Sequence, residues 1–341
     1  MALYLKLKTI SHITLMTLIF TLINISSPGQ SPAEEPLKKV KFVPQWHHQA
    51  QFAGYYMAYE IGIYQKYGLD VEILDGGPSA PSAKMLSESR VDFATLQLSA
   101  AIQQRAHGVN VINIAQTSQR SAIVIVAKKK NGINKVEDLN AKRIGYWRTD
   151  FEGVLQTFLK RHNLKVEIVP INSTVNLFLL DGIDAMVTMW YNEYYTIISS
   201  GINEDELTHF LFFEHDVNLP EDGIYCLEET YKKDPELCRN FVKASLEGWI
   251  YAFANEKKTV ETIIKYMNKV HIKANNPHQK WMLARMGDII SPPNQKKPIG
   301  SLAEEDYLRV ASILKEYNLI SSIPDFKTFF INMAVSEDAK K

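Results

Sequence analysis

The sequence predicts an α/β protein of two lobes joined by a two-stranded hinge. Three observations predict it. β-Branched runs alternate with amphipathic helical stretches from Val40 onward, the same alternation begins again after Lys130, and two further strand-like runs lie where the chain would pass between the halves. Alternating strands and helices imply βαβ units and a mostly parallel sheet, because the crossover helices cover the sheet faces. A chain of 341 residues, 46% hydrophobic and 22% charged, is long enough for two such lobes. It buries roughly three quarters of its unfolded surface.

Residues 1–33 differ from the rest. Lys6 and Lys8 precede a mostly apolar run from Ile10 to Ile25, Pro28-Gly29 breaks any helix, and Ser31-Pro32-Ala33 supplies small residues at a cleavage position. This is the layout of a signal peptide cut after Ala33, which implies export to a periplasm-like compartment. The apolar run is shorter than the ~20 residues that span a bilayer. No cysteine near the cleavage point offers an acylation site. Cys226 and Cys238 are the only cysteines. An oxidising compartment would allow them to bridge, although a chain of this size needs no staple, and the sequence leaves that question open.

The first part of lobe I is expected over residues 34–124, with KVKFV, DVEIL, VDFATL and VNVINIA as strands. YYMAYEIGIYQKYG, PSAKMLSES and SAAIQQRAHG read as the helices between them. Lobe II is expected over 125–223, where RIGYW, VEIVP, DAMVTMW and THFLFF are the strands. FEGVLQTFLKRHN, the turn NLFLLDG and NEYYTIISSG separate them. The halves resemble each other in detail: YQKYGLDVEIL then LSESRVDFATL runs parallel to FLKRHNLKVEIV then FLLDGIDAMVTM. SAIVIVAKK near 121–129 and DGIYCLEE near 222–229 are the expected crossings. Residues 224–341 return to lobe I and are mostly helical. Asp234-Pro235 is a helix start, a capping side chain followed by proline in the first turn. Leu237, Phe241, Leu246 and Trp249 then form a core-facing stripe. SPPNQKKPIG at 291–300 reads as a loop and 335–341 as a frayed tail.

Ligands of open parallel sheets sit at the carboxyl ends of strands, where the next helix begins. Those junctions hold Gln45 and Trp46, Gln97 and Ser99, Trp147 and Asp150, and the run Trp190, Tyr191, Asn192 and Glu193. Three of the five tryptophans fall there, which suggests aromatic walls around a flat ligand. Gln51 and Tyr55, in the helix-opening run after the first strand, belong to the same candidate site, with Gln51 and Gln97 able to read a ring edge. Glu193 opens a helix, where the macrodipole favours a carboxylate. It can accept from an exocyclic amine or ring N–H, or it can simply stabilise its own helix.

Other chemistries find little support. With 38 basic and 38 acidic residues the net charge is zero, so nucleic acid is not an expected partner. His47 and His48 are adjacent and point opposite ways in an extended segment, so no metal is expected. No nucleophile elbow, phosphate loop or dinucleotide fingerprint occurs, so neither an enzyme nor a cofactor is expected. Asp75-Gly76-Gly77-Pro78 reads as a turn.

The run from VKFVPQW through QFAGYYMAYEIGIYQKYGLDVEIL, then VDFATLQLSAAI, MWYNEYY and PEDGIYC, resembles the thiamine-pyrimidine synthase-like branch of type II periplasmic substrate-binding proteins. Of that branch's opening motif, Trp46, Gly54, Tyr56 and Ala58 match, whereas His48 replaces a proline and Phe52 a histidine. Glu193 matches the branch's pocket acid by its place in the helix. The resemblance implies a type II periplasmic binding fold, a monomer that closes on a small molecule and delivers it to an ABC transporter permease in the inner membrane. It implies an aminopyrimidine or riboflavin-like cargo, with sulfonates and nitrate in cousin branches. Enzymes of the branch carry a Cys-Cys-Cys-Phe-Cys motif that this sequence lacks. A sensor module of a signalling system is the alternative binding role.

Overall fold

The computed structural model describes residues 36–147, 153–172, 174–293 and 297–335. The expected leader, the candidate residue Asp150, part of the 291–300 loop and the tail from residue 336 lie outside the described residues. Leu37–Lys341 form one compact unit. The chain first lays down β1 (Lys38–Val43), α1 (Ala53–Glu60), α2 (Ile63–Lys66), β2 (Leu69–Ile73), α3 (Ser82–Ser87), β3 (Phe93–Gln97), α4 (Leu98–Ala106) and β4 (Val111–Gln116). It crosses to β5 (Ile123–Lys128), β6 (Arg143–Trp147), α5 (Val154–Arg161), β7 (Glu167–Ile171), α6 (Asn176–Leu179), β8 (Ala185–Met189), α7 (Glu193–Ser199) and β9 (Leu207–Leu211). β10 (Asp222–Leu227) returns to the first sheet. After it come α8 (Glu228–Lys233), α9 (Pro235–Ala254), α10 (Glu256–Lys269), α11 (Asn276–Ile290), α12 (Glu304–Glu316) and α13 (Phe326–Phe329).

The two five-stranded sheets have the orders β2-β1-β3-β10-β4 and β7-β6-β8-β5-β9. In each, the first three strands are parallel and the fourth is antiparallel to both neighbours. The internal resemblance between the halves is therefore also a resemblance of topology. β5 and β10, expected as connectors, are interior strands, each contributed by the chain as it changes lobe. Their burial explains this: β5 is buried along its whole length and β10 all but its last residue. Apolar runs of that kind belong inside a covered sheet. The crossings themselves are the short irregular stretches 117–122 and 217–221.

These two stretches are bonded to each other. Thr117 Oγ1 and Gln116 Nε2 donate to the Asp222 carbonyl at 2.7 and 2.9 Å, and Ser121 N–H donates to Asn218 Oδ1 at 2.9 Å.

One expected helix is two. Gly62 adopts φ +78°, a left-handed conformation open to glycine, and separates α1 from α2. α9 begins as its sequence predicts, with Asp234 accepting from the Leu237 N–H at 2.9 Å ahead of Pro235. Phe241 and Trp249 of its stripe are fully buried, and Leu237 and Leu246 pack partly buried on the same core. Phe241 stacks on Phe93 at 4.2 Å. Cys226 and Cys238 are buried free thiols.

Candidate functional site

Because β10 runs antiparallel to β3, its first residue, Asp222, sits opposite Gln97, the last residue of β3. Asp222 is thus at the carboxyl end of the first sheet and beside both crossings. The loop after β1 turns toward it. Gln45 N–H donates to Thr95 Oγ1 at 2.8 Å, and Gln45 Nε2 then reaches Asp222 Oδ1 at 2.6 Å. From the turn before α1, Gln51 Nε2 donates to Asp222 Oδ2 at 2.8 Å and Gln49 Nε2 donates to Gln51 Oε1 at 2.6 Å.

Asp222 is 6% exposed and its side-chain partners are neutral amides. Burial raises its carboxyl to about 6 against the stabilising amides of Gln51 and Gln45. Glu221, next to it, accepts from Ser121 Oγ at 2.7 Å and from the Ala122 N–H at 2.9 Å. Burial raises it to about 8, opposed by those two donors and reinforced by the charge of Asp222. Both carboxyls therefore hold their protons more readily than free ones, Glu221 the more strongly.

The second sheet contributes Tyr191, from the β8–α7 junction. Its buried phenol is pushed well above the ordinary range by burial first, then by Asp222, Glu221 and Glu193. One tyrosine of lobe II thus feels three carboxylates. Trp190 N–H donates to the Ala122 carbonyl at 2.8 Å, so this junction hangs from the same crossing that Glu221 holds.

Of the residues expected from the sequence, Gln51, Tyr55, Gln97 and Tyr191 gather around Asp222, and Ser99 stands beside them. Ser99 lies in the first turn of α4, whose Leu98 N–H donates to the Glu221 carbonyl at 2.7 Å. Tyr55 lies behind the acid, packed on Phe42 and Trp249 at ring separations of 4.8 and 5.9 Å. Trp190, Asn192 and Glu193 are contiguous with Tyr191. The Glu193 oxygens are engaged within their own junction, accepting from Met189 N–H at 3.0 Å and Asn192 Nδ2 at 3.3 Å. Burial raises this carboxyl. One face of Trp190 carries the Arg285 guanidinium at 4.7 Å. Trp147 ends β6 and packs, partly buried, against both hydrophobic clusters of the molecule. Trp46 is 40% exposed, edge-on to His47.

Sequence reasoning missed Glu221 and Asp222. The available signal was two adjacent acids between Pro220 and Gly223, at the head of a run without polar alternation. His48 has a structural post: it joins the Tyr56 hydroxyl and, at 2.7 Å, Asp75 Oδ1. Among the described residues no three His, Cys, Asp or Glu could hold a metal ion. The surroundings of Asp222 instead offer acceptors. Gln45 Oε1 is buried without a partner, and each Asp222 oxygen takes one amide, fewer than a carboxylate can accept.

Residues 49–259 match the family described as NMT1/THI5 like. A Haemophilus influenzae protein named for thiamine biosynthesis is 28% identical over 160 residues, covering 46% of this chain and 51% of that protein. The chain spans about half the length of that relative. The riboflavin-binding protein RibY of Chloroflexus aurantiacus is 23% identical over 292 residues, 78% of this chain and 80% of RibY. The aliphatic sulphonate binding protein SsuA of Escherichia coli superimposes with a TM-score of 0.68 at 13% identity, over 90% of this chain and 94% of SsuA. That likeness shows the periplasmic binding protein fold, of the two-lobed type II form. Since the family match runs over more than half of the sequence and across both sheets, the chain belongs to the NMT1/THI5-like family.

Proposed function

We propose that this protein is the exported solute-binding subunit of an ABC importer. It closes on a small heteroaromatic molecule bearing N–H donors, a pyrimidine precursor of thiamine or a related heterocycle such as riboflavin. The observation that carries this reading is Asp222, a buried carboxylate partnered by neutral amides, set at strand ends beside both crossings and within the electrostatic reach of Tyr191 from the other lobe. A buried charge without a counter-ion favours a ligand that supplies donors. Relatives named for thiamine biosynthesis and riboflavin binding support the same chemical class.

The work performed is binding, not catalysis. Ligand held between Asp222 and the Tyr191 junction raises the population of the closed form by its extra affinity for that form. The closed monomer then docks on its permease at the inner membrane. Among the described residues no helix is long and apolar enough to cross a membrane.

A thermal-shift panel on the chain beginning at Glu34 tests the reading. Aminopyrimidines, thiamine, riboflavin, purines, taurine and nitrate are each supplied in excess. A ligand at about 100 times its Kd adds ~2.7 kcal/mol, a shift of several degrees. The expected result is a shift with a donor-bearing heterocycle that Asp222→Asn removes. A shift with taurine or nitrate alone, or no shift at all, overturns it.

A further inference from the structure

α11 has two working faces. Gln279, Met282, Leu283 and Met286 are buried, and this side meets the turn before α1: Ala50 N–H donates to Gln279 Oε1 at 2.8 Å and Gln51 N–H to Met282 Sδ at 3.2 Å. The other side is the stripe His278, Trp281 and Arg285, spaced three and four apart so that they share one helical face. This face meets the β8–α7 junction of the second lobe. Trp281 Nε1 donates to the Trp190 carbonyl at 3.0 Å, and its ring stacks on Tyr194 at 5.9 Å. His278 stacks on Tyr195 at 4.9 Å. The Arg285 guanidinium lies between Trp190 and Trp281, at 4.7 and 4.6 Å from their rings, steadied by Asp288 at 2.8 Å.

One helix therefore touches both walls of the candidate cleft, next to Gln51 on one side and next to Tyr191 and Glu193 on the other. The hinge crossings join the lobes through the backbone, and α11 joins them through side chains. It lies beyond residue 259, where the family match ends. The two contacts differ in kind. The side toward residues 50–52 is interior packing. The side toward 190–195 is aromatic stacking, a cation over rings, the Trp281 N–H to the Trp190 carbonyl and His278 against the backbone of Tyr191 and Asn192, contacts at the margin of the cluster around Tyr194.

We propose that α11 is a strap between the walls of the cleft, with Trp281 its positioning residue, and that residues 190–195 leave it whenever the lobes open. The role in ligand exchange rests on the binding-protein reading. The strap itself does not, and its test needs no ligand.

The experiment is amide hydrogen exchange by mass spectrometry on the ligand-free chain, comparing wild type, Trp281→Phe and Trp281→Ala, with small-angle scattering alongside. Trp281→Ala should speed exchange at 191–195 about tenfold, because the local opening loses its closing contacts. Trp281→Phe should fall between, residues 50–52 should stay protected, and the radius of gyration should rise. Unchanged protection at 191–195 in a folded Trp281→Ala protein overturns the proposal, as does equal loss at 50–52. Should Trp281→Ala not fold, Trp281→Phe and Arg285→Met are read by the same criteria. A failed ligand panel would leave this exchange result intact, so the two ideas fail separately.

Discussion

Gln51 Nε2 lies 2.8 Å from Asp222 Oδ2, joining the turn before α1 to the head of β10 across 171 positions of chain. With Gln45 on the other oxygen, it makes a buried carboxylate tolerable without a cation. Asp222→Asn keeps the shape and removes the charge. Binding of a donor-bearing heterocycle should weaken by ~1.5–3 kcal/mol, the range for hydrogen bonds to charged groups. Wild-type affinity should also fall as the pH drops through about 6, where Asp222 takes up its proton. Calorimetry measures both, and an affinity equal to wild type would remove Asp222 from recognition.

Glu221 predicts how stability depends on pH. Its folded value of about 8 lies above the ordinary 4.5, so between those values the folded state binds more protons than the unfolded one. Stability therefore declines as pH rises through that window. Glu221→Gln should flatten the decline. Urea midpoints taken at the acid and alkaline ends of the window decide it, and equal slopes for the two proteins would refute the assignment.

Close packing of α1 on α9 makes Gly54 sensitive. A Cβ there would stand 2.3 Å from Trp249 Cγ. Gly54→Ala should cost ~2–3 kcal/mol, because the two helices must part or Trp249 must leave its rotamer. A thermal midpoint within a degree of wild type would show that this contact yields easily.

For Glu193 the first effect of substitution should be on stability. Glu193→Ala strips the Met189 N–H at the end of β8 of its acceptor. An unpartnered buried donor costs ~1–3 kcal/mol. Measuring ligand affinity on the same variant separates the two acids: a loss larger than that of Asp222→Asn would move recognition to the second lobe.

Much of the architecture was legible in local pattern. β-Branched runs marked the strands, Asp234-Pro235 marked the start of α9, and the similarity of 64–74 with 158–169 pointed to two similar lobes, whose common strand order the structure added. Gly62 showed where local reading slips, since a glycine inside an amphipathic run can be tolerated or can break the helix. The site was legible in part. Strand-end position pointed to Gln97 and Tyr191, which the fold sets near Asp222, but an acid's burial and partners do not show in its neighbours, so Glu221 and Asp222 went unread. Trp190 was expected as a free wall, and the residue on its face, Arg285, comes from 95 positions away.

By itself the sequence determined the strands, most helices and the division into two α/β halves, because hydrophobic periodicity and capping chemistry act over a few residues. Only the tertiary structure decided that both crossing segments run on as interior strands, that two glutamines from one loop share an aspartate at the hinge, and that α11 reaches both walls. These depend on residues 91 to 231 positions apart meeting in one place. Burial and desolvation, which give such meetings their energies, are properties of the packed chain.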